Sequence, residues 1–244
     1  MTDFADAAPQ VGAARILLVA PANSYRTFAY LDAARRLGVE LLVASEGEHS
    51  LVNQMVGGMQ VDLHAPDAVD VLVAEARRRP FHGVVATDDA SVELTSRVAR
   101  VLGLPHNPPA AARISRRKDL ARSRLAEAGL PIPRHWRLDL TLPLGPQIEQ
   151  VAYPCVAKPL ALSASRGVIR ADNAAELASA CARIQRILER EAPRDAEERN
   201  TVLVEAFIVG PEVALEGLLH DGELRVLALF DKPDPMEGPF FEET

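Results

Sequence analysis

The sequence predicts an α/β protein in two parts. A doubly wound parallel sheet covered by helices occupies residues 14–109, and a mixed, largely antiparallel α+β region occupies 110–244. Three observations predict it. Short β-branched runs alternate with helical apolar spacing through the first part, closely spaced prolines (Pro105, Pro108, Pro109) interrupt the chain, and the pattern then changes to strands separated by turns.

In the first part, residues 1–13 are small and polar without periodicity and read as a loose leader. Ile16–Ala20 is an apolar β-run. Ser24–Gly38 places Tyr25, Phe28, Leu31 and Ala34 on one helical face, and Val39–Ala44 is a second β-run, so the three form a βαβ unit. A weaker strand near Gln60–His64, a helix over Asp67–Arg79, a strand over Gly83–Thr87 and a helix from Asp89 to Leu102 continue the alternation. The turn after the first strand, Pro21-Ala22-Asn23-Ser24-Tyr25, lacks GxGxxG, which disfavours a dinucleotide site.

In the second part, Ala110–Ala128 reads as helical and Arg-rich, closed by Gly129, with Pro131 and Pro133 leading to a strand at His135–Leu138. Tyr153–Lys158 and Arg166–Ala171 are β-runs, and Asn173–Arg190 is a long amphipathic helix capped by Asp172 or Asn173. Glu191–Asn200 is charged and reads as a solvated connection. Thr201–Phe207 is a strand, and Asp221-Gly222 joins Glu212–Leu219 to Leu224–Phe230 as a hairpin.

Composition narrows the function. With 244 residues, 48% hydrophobic and 25% charged, the chain is an ordinary globular one, and its net charge of −7 excludes the basic face of a duplex nucleic-acid binder. The apolar run Ile16–Ala20 is too short for a membrane span or a signal-peptide core, and Cys155 and Cys181 show no disulfide or zinc spacing, so a cytoplasmic location is expected. His49, His64, His82, His106, His135 and His220 are scattered without metal-site spacing, and no GxSxG elbow is present. Asp88-Asp89 follows a strand where it could meet a ligand or cap the next helix, and the cap is favoured.

Of 27 basic residues only three are lysines: Lys118, Lys158 and Lys232. A chain that otherwise uses arginine keeps lysine where a compact ammonium is wanted, or by chance. Lys158 ends a strand and is followed by residues 160–167, a small and hydroxylated loop containing Ser163, Ser165 and Gly167, which could fold its N–H groups around phosphate or form an ordinary hairpin. Glu205 ends a strand, and Glu212 and Glu216 share a face of the next, as ligands for ribose hydroxyls or a metal, or as a solvent face.

Taken in order, these features carry a resemblance. Lys118-Asp119 opens a helix ending in Gly-Leu-Pro-Ile-Pro. Tyr153-Pro154-Cys155-Val156-Ala157-Lys158-Pro159, Ser165-Arg166-Gly167-Val168, Val204 through Glu212, and Phe230-Asp231-Lys232 follow. The series resembles ATP-grasp enzymes of the carbamoyl-phosphate-synthase-like and amino-acid-ligase-like branch over residues 110–244, and 14–105 is similar to the Rossmann-like domain preceding the grasp. The resemblance implies that Lys118 and Lys158 contact ATP phosphates, that the 160–167 loop is a phosphate lid, and that Lys232 is a third basic contact. It also implies that Glu205, Ala206, Phe207 and Ile208 form the hinge meeting the adenine edge and that Glu212 holds the ribose. The implied cofactors are ATP and Mg²⁺. The implied reaction joins a small-molecule carboxylate, activated as an acyl phosphate, to an amine or similar nucleophile, with homodimerisation open. The family's metal-binding acids, asparagine and substrate-facing arginine would follow residue 244. The grasp domain is therefore expected to be incomplete at its C-terminus, and the alternative is a truncated or non-catalytic nucleotide-binding protein.

Overall fold

The computed structural model describes residues 14–22, 24–46, 58–232 and 237–241, so the expected leader, Asn23 and His49 lie outside the described residues. The chain divides into two compact units, Met1–Arg116 and Arg117–Thr244.

In the first unit, strand β1 (Arg15–Ala20) explains the architecture, because its alternate side chains feed two cores. Leu17 and Val19 pack with helices α2 (Ala68–Arg78) and α3 (Val92–Val101), while Leu18 and Ala20 pack with Leu31 of α1 (Thr27–Leu37) and Val43 of β2 (Glu40–Ser45). A sheet buried on both faces needs the near-continuous apolar runs seen in the sequence. The strand order is β3-β2-β1-β4, all parallel, with β3 (Met59–Gln60) and β4 (Gly83–Ala86) at the edges. The expected strand at Gln60–His64 contracts to two residues, because turns closed by the Ala65 N–H on the Asp62 carbonyl and the Ala68 N–H on the Ala65 carbonyl lead from β3 to α2. A 3₁₀ turn (Asp89–Ser91) precedes α3. Asp88 makes no capping bond: its carboxylate accepts from the Thr87 hydroxyl at 2.6 Å and from Arg26 at 3.0 Å. Helix α4 (Pro109–Arg116) packs on α3.

The second unit sharpens two expectations. The helical stretch over 110–128 is interrupted at Arg117, whose backbone is extended (φ −92°, ψ 108°), so that α5 begins at Lys118 (Lys118–Glu127), where the resemblance has a helix open. The break carries the Arg117 guanidinium inside, where it is 1% exposed. It forms two bonds with Asp119 (3.0 and 2.9 Å) and one with Glu197 (2.9 Å). The charged, largely exposed connection contains a short helix, α8 (Ala196–Asn200), capped by Asp195, and its Glu197 pairs with both Arg117 and Arg137.

Around this network lies an antiparallel sheet in the order β5-β8-β6-β7, made of His135–Asp139, Thr201–Ala206, Cys155–Pro159 and Ile169–Ala171. A short helix, α6 (Leu144–Ile148), follows β5. One face of the sheet packs on α7 (Ala174–Glu191), whose Leu177, Cys181, Ile184 and Leu188 recur at helical spacing. Asn173 caps α7 by accepting from the Glu176 N–H, and the Glu176 carboxylate accepts from the Asp172 N–H, a reciprocal cap. Burial pushes the Cys155 thiol up to about 12 and the Cys181 thiol up to about 11, as expected of small core hydrophobes. A separate two-stranded ribbon joins β9 (Glu212–His220) to β10 (Glu223–Lys232) through Asp221 and Gly222, both at positive φ (49° and 81°). Among the described residues no helix is long and apolar enough to cross a membrane.

Candidate functional site

Strands β6 and β8 pair antiparallel with Val156 opposite Glu205 and Lys158 opposite Leu203. Period two puts Cys155, Ala157, Val202 and Val204 on the α7 face and leaves Val156, Lys158, Leu203 and Glu205 on the other. Across that second face Lys158 Nζ donates to Glu205 Oε2, and Arg122 of α5 donates from Nε to Glu205 Oε1 at 2.5 Å. Glu205 is 4% exposed. Its burial alone would raise the carboxyl, but the charges and hydrogen bonds of Lys158 and Arg122 outweigh that and hold it below the usual carboxylate range.

The loop after β6 is bound at both ends. The Lys118 N–H donates to the Leu160 carbonyl (3.0 Å) and the Lys118 ammonium to the Leu162 carbonyl (2.7 Å), so the start of α5 grips the start of the loop. Ala164, Ser165 and Gly167 have positive φ (54°, 52° and 73°). Gly167 is required twice over, since a Cβ there would also lie 3.1 Å from Pro159 Cγ. Arg166 is paired with Glu191 of α7 at 2.8 Å.

The chain leaving β8 spends the Ala206 N–H on the Arg134 carbonyl (2.8 Å) and the Phe207 N–H on the Pro154 carbonyl (3.0 Å). Arg170 lies over the Phe207 ring at 4.3 Å. At the base of the ribbon Glu212 and Lys232 are direct cross-strand partners, joined at 2.8 Å.

These groups enclose a cavity of about 770 Å³. Of the residues expected at the site, Lys158, Ser165, Glu205, Ala206, Phe207, Ile208, Glu212 and Lys232 line it together. Lys118, Ser163 and Gly167 do not line it: Lys118 and Gly167 hold the loop, and Ser163 accepts through its carbonyl from the Arg166 N–H. Two of the lining cations, Arg122 and Arg170, escaped the sequence reading. Arg122 stands four residues after Lys118 on the same helix, a spacing that could have revealed it. Arg170 lies inside a strand with no local signal. The lining carries four cations (Arg122, Lys158, Arg170, Lys232) against three carboxylates (Glu205, Glu212, Glu237), and its volume suits a small organic anion. A second cavity of about 790 Å³, beside β7 and α7, contains none of the expected residues.

Comparison with known proteins follows the same division. A model of the ATP-grasp domain matches residues 151–244, and one of the ATP-grasp N-terminal domain matches residues 31–106. No curated protein matches. Among solved structures, the L-amino acid ligase from Bacillus licheniformis is 26% identical with a TM-score of 0.76 and covers 96% of this chain, of whose counterpart 56% is matched. An N5-carboxyaminoimidazole ribonucleotide synthetase in complex with ADP is 14% identical (TM-score 0.66; 89% of this chain, 53% of that one). The N5-carboxyaminoimidazole synthetase from Staphylococcus aureus, also with ADP, is 13% identical (TM-score 0.61; 93% and 57%). The last two show likeness of fold alone. The chain spans little more than half the length of these structures.

Proposed function

The chain belongs to the ATP-grasp superfamily, and from that premise we propose that its cavity binds ATP and serves a ligase. The ligase would activate a small-molecule carboxylate as an acyl phosphate for capture by an amine or similar nucleophile. The observation that carries the reading is the convergence of Lys158, the 205–209 segment, Glu212 and Lys232 on one cavity of nucleotide size.

Each group has a role its chemistry allows. Lys158 is a triple donor, so its bond to Glu205 does not exhaust it, and its ammonium can neutralise phosphate charge at the strand end. Glu205, fixed from two sides, sets the direction of the Lys158 ammonium and opens the hinge. With the N–H groups of Ala206 and Phe207 engaged, a purine edge would be met by carbonyls here and by the backbone of Ile208 and beyond. Glu212 suits ribose hydroxyls, and Lys232 beside it suits a phosphate. Lys118 serves at one remove, holding the loop that carries Ser163, Ser165 and Gly167 towards the phosphates. Phosphoryl transfer asks chiefly for such positioning and charge neutralisation.

Among the described residues no group of three or more His, Cys, Asp or Glu side chains is arranged to hold a metal ion. Magnesium enters the proposal as the counter-ion of the nucleotide phosphates. The Bacillus licheniformis neighbour is named as an L-amino acid ligase, and this supports a small-molecule carboxylate and an amine as the substrate class. Two buried thiols without a disulfide accord with a cytoplasmic setting.

Thermal unfolding with and without millimolar Mg·ATP tests the reading. A site occupied at about 100 times its Kd stabilises the fold by about 2.7 kcal/mol, and Lys158→Ala should lose most of that shift. Absence of a shift in the parent protein contradicts nucleotide binding by this chain.

A further inference from the structure

Strand β7 turns one long side chain away from the core. Ile169 and Ala171 are buried under α7, and period two puts Arg170 on the other face, in one cross-strand row with Val156 of β6 and Glu205 of β8. Arg170 is held from several directions there. Its N–H donates to the Pro239 carbonyl (2.9 Å), Nη1 to the Glu237 carbonyl (2.8 Å) and Nε to Asp172 Oδ1 (2.7 Å), while the guanidinium lies 4.3 Å over the Phe207 ring. The two carbonyl bonds tie residues 237–239 to the edge of β7, where Ile169 and Phe240 form a further antiparallel bridge. The approach is close: a Cβ on Gly238, at φ 85°, would lie 2.8 Å from Arg170 Cβ. Arg170 and Glu237 line both large cavities of this unit and so stand at the partition between them.

These contacts define an orientation as well as a charge. A guanidinium bonded along its edge to Asp172 and Glu237 presents its flat face in one direction, and that face meets the ring of Phe207. Phe207 is the first residue after β8 and lines the cavity with Ile208 and Val209, so no strand ladder fixes its side chain. We infer that Arg170 is a positioning residue for the base end of the nucleotide cavity: anchored by Asp172 and Glu237, it sets the Phe207 ring and acts on the nucleotide through that ring rather than as one more cation. The inference rests on the nucleotide reading proposed above and adds to it a residue that reaches the hinge from another strand.

Calorimetric titration with Mg·ATP tests it on the 244-residue chain, on Arg170→Ala, Arg170→Lys and Phe207→Leu, and on the double variant Arg170→Ala/Phe207→Leu. Asp172 is 54% exposed, so losing its pair leaves no buried charge and the variants should unfold close to the parent temperature without nucleotide. If Arg170→Ala does not fold, Arg170→Lys, which keeps the stem and the charge, decides. Arg170→Ala should weaken Mg·ATP binding by about tenfold. Arg170→Lys should weaken it nearly as much, because one ammonium cannot keep both edge bonds while covering the ring. In the Phe207→Leu background, Arg170→Ala should cost less than about twofold, the non-additivity of residues that act through one another. Parent affinity in Arg170→Lys would assign the effect to charge and overturn the inference. So would an Arg170→Ala cost that is equal in both backgrounds, or absent from both. A parent chain that does not bind Mg·ATP contradicts the nucleotide reading itself, whereas a parent that binds with the wrong variant pattern overturns this inference alone.

Discussion

The second unit contains two charge clusters built from the same chemistry and put to different ends. In one, Arg117 is enclosed by Asp119 and Glu197, and Arg137 reaches the same carboxylates at 3.5 and 3.2 Å. In the other, Glu205 is enclosed by Lys158 and Arg122, and both cations also line the cavity. The first cluster buries both members, Arg117 and Asp119, and uses the planar fork of arginine, whose two bonds to Asp119 define one geometry. The second buries only the anion and leaves its cations at the cavity wall, one of them an ammonium able to redirect its donors. The difference teaches that a charge pair serves as scaffold when both members are sealed in and can serve a site when its cations stay at a wall.

Breaking the scaffold cluster should have the largest effect. Arg117→Ala leaves Asp119 buried without its main partner, and a loss of about 3–5 kcal/mol is expected in urea unfolding of this unit. Glu205→Gln keeps the shape but leaves Lys158 and Arg122 facing each other, with an expected loss of about 1.5–3 kcal/mol at neutral pH. The pH dependence separates the clusters further. Burial works to raise both Glu205 and Asp119, but their cationic partners win and hold each below its ordinary value. Both therefore contribute stability that is present above the ordinary carboxylate range and is lost as pH falls through the lower folded values. Glu205→Gln should flatten that acid limb only in part, since Asp119 remains. Lys232→Ala removes an exposed pair and should change stability by less than about 1 kcal/mol, while weakening Mg·ATP binding in calorimetry. Smallest of all, Cys155 and Cys181 should resist a thiol reagent in the folded protein at pH 8, because their raised pKa values leave little thiolate.

Much of this was legible in the sequence, for identifiable reasons. The buried strands and α7 announce themselves because apolar spacing is a local property, and the Asp221-Gly222 turn because its two positive φ values demand those residue types. Lys158, Glu205 and Glu212 stand in strand-end positions that a motif can carry. Arg117 is not legible as a buried anchor because, beside its neighbour Asp119, it is enclosed by Glu197, 80 positions away. The short α8 has no signal of its own because its charged residues carry no apolar period. Arg170 is recognisable only once Phe207 is placed beneath it. The bond from the Lys118 ammonium to the Leu162 carbonyl, in the loop that follows Lys158, joins residues 44 positions apart and has no local signal.

The account stands most directly on where nucleotide binds, and photolabelling with 8-azido-ATP, competed by ATP and read by peptide mapping, asks that question. The label should fall on the peptide carrying Phe207, Ile208 and Val209 and disappear with excess ATP. Labelling within residues 14–105, or labelling that ATP does not compete, would contradict the assignment of the cavity.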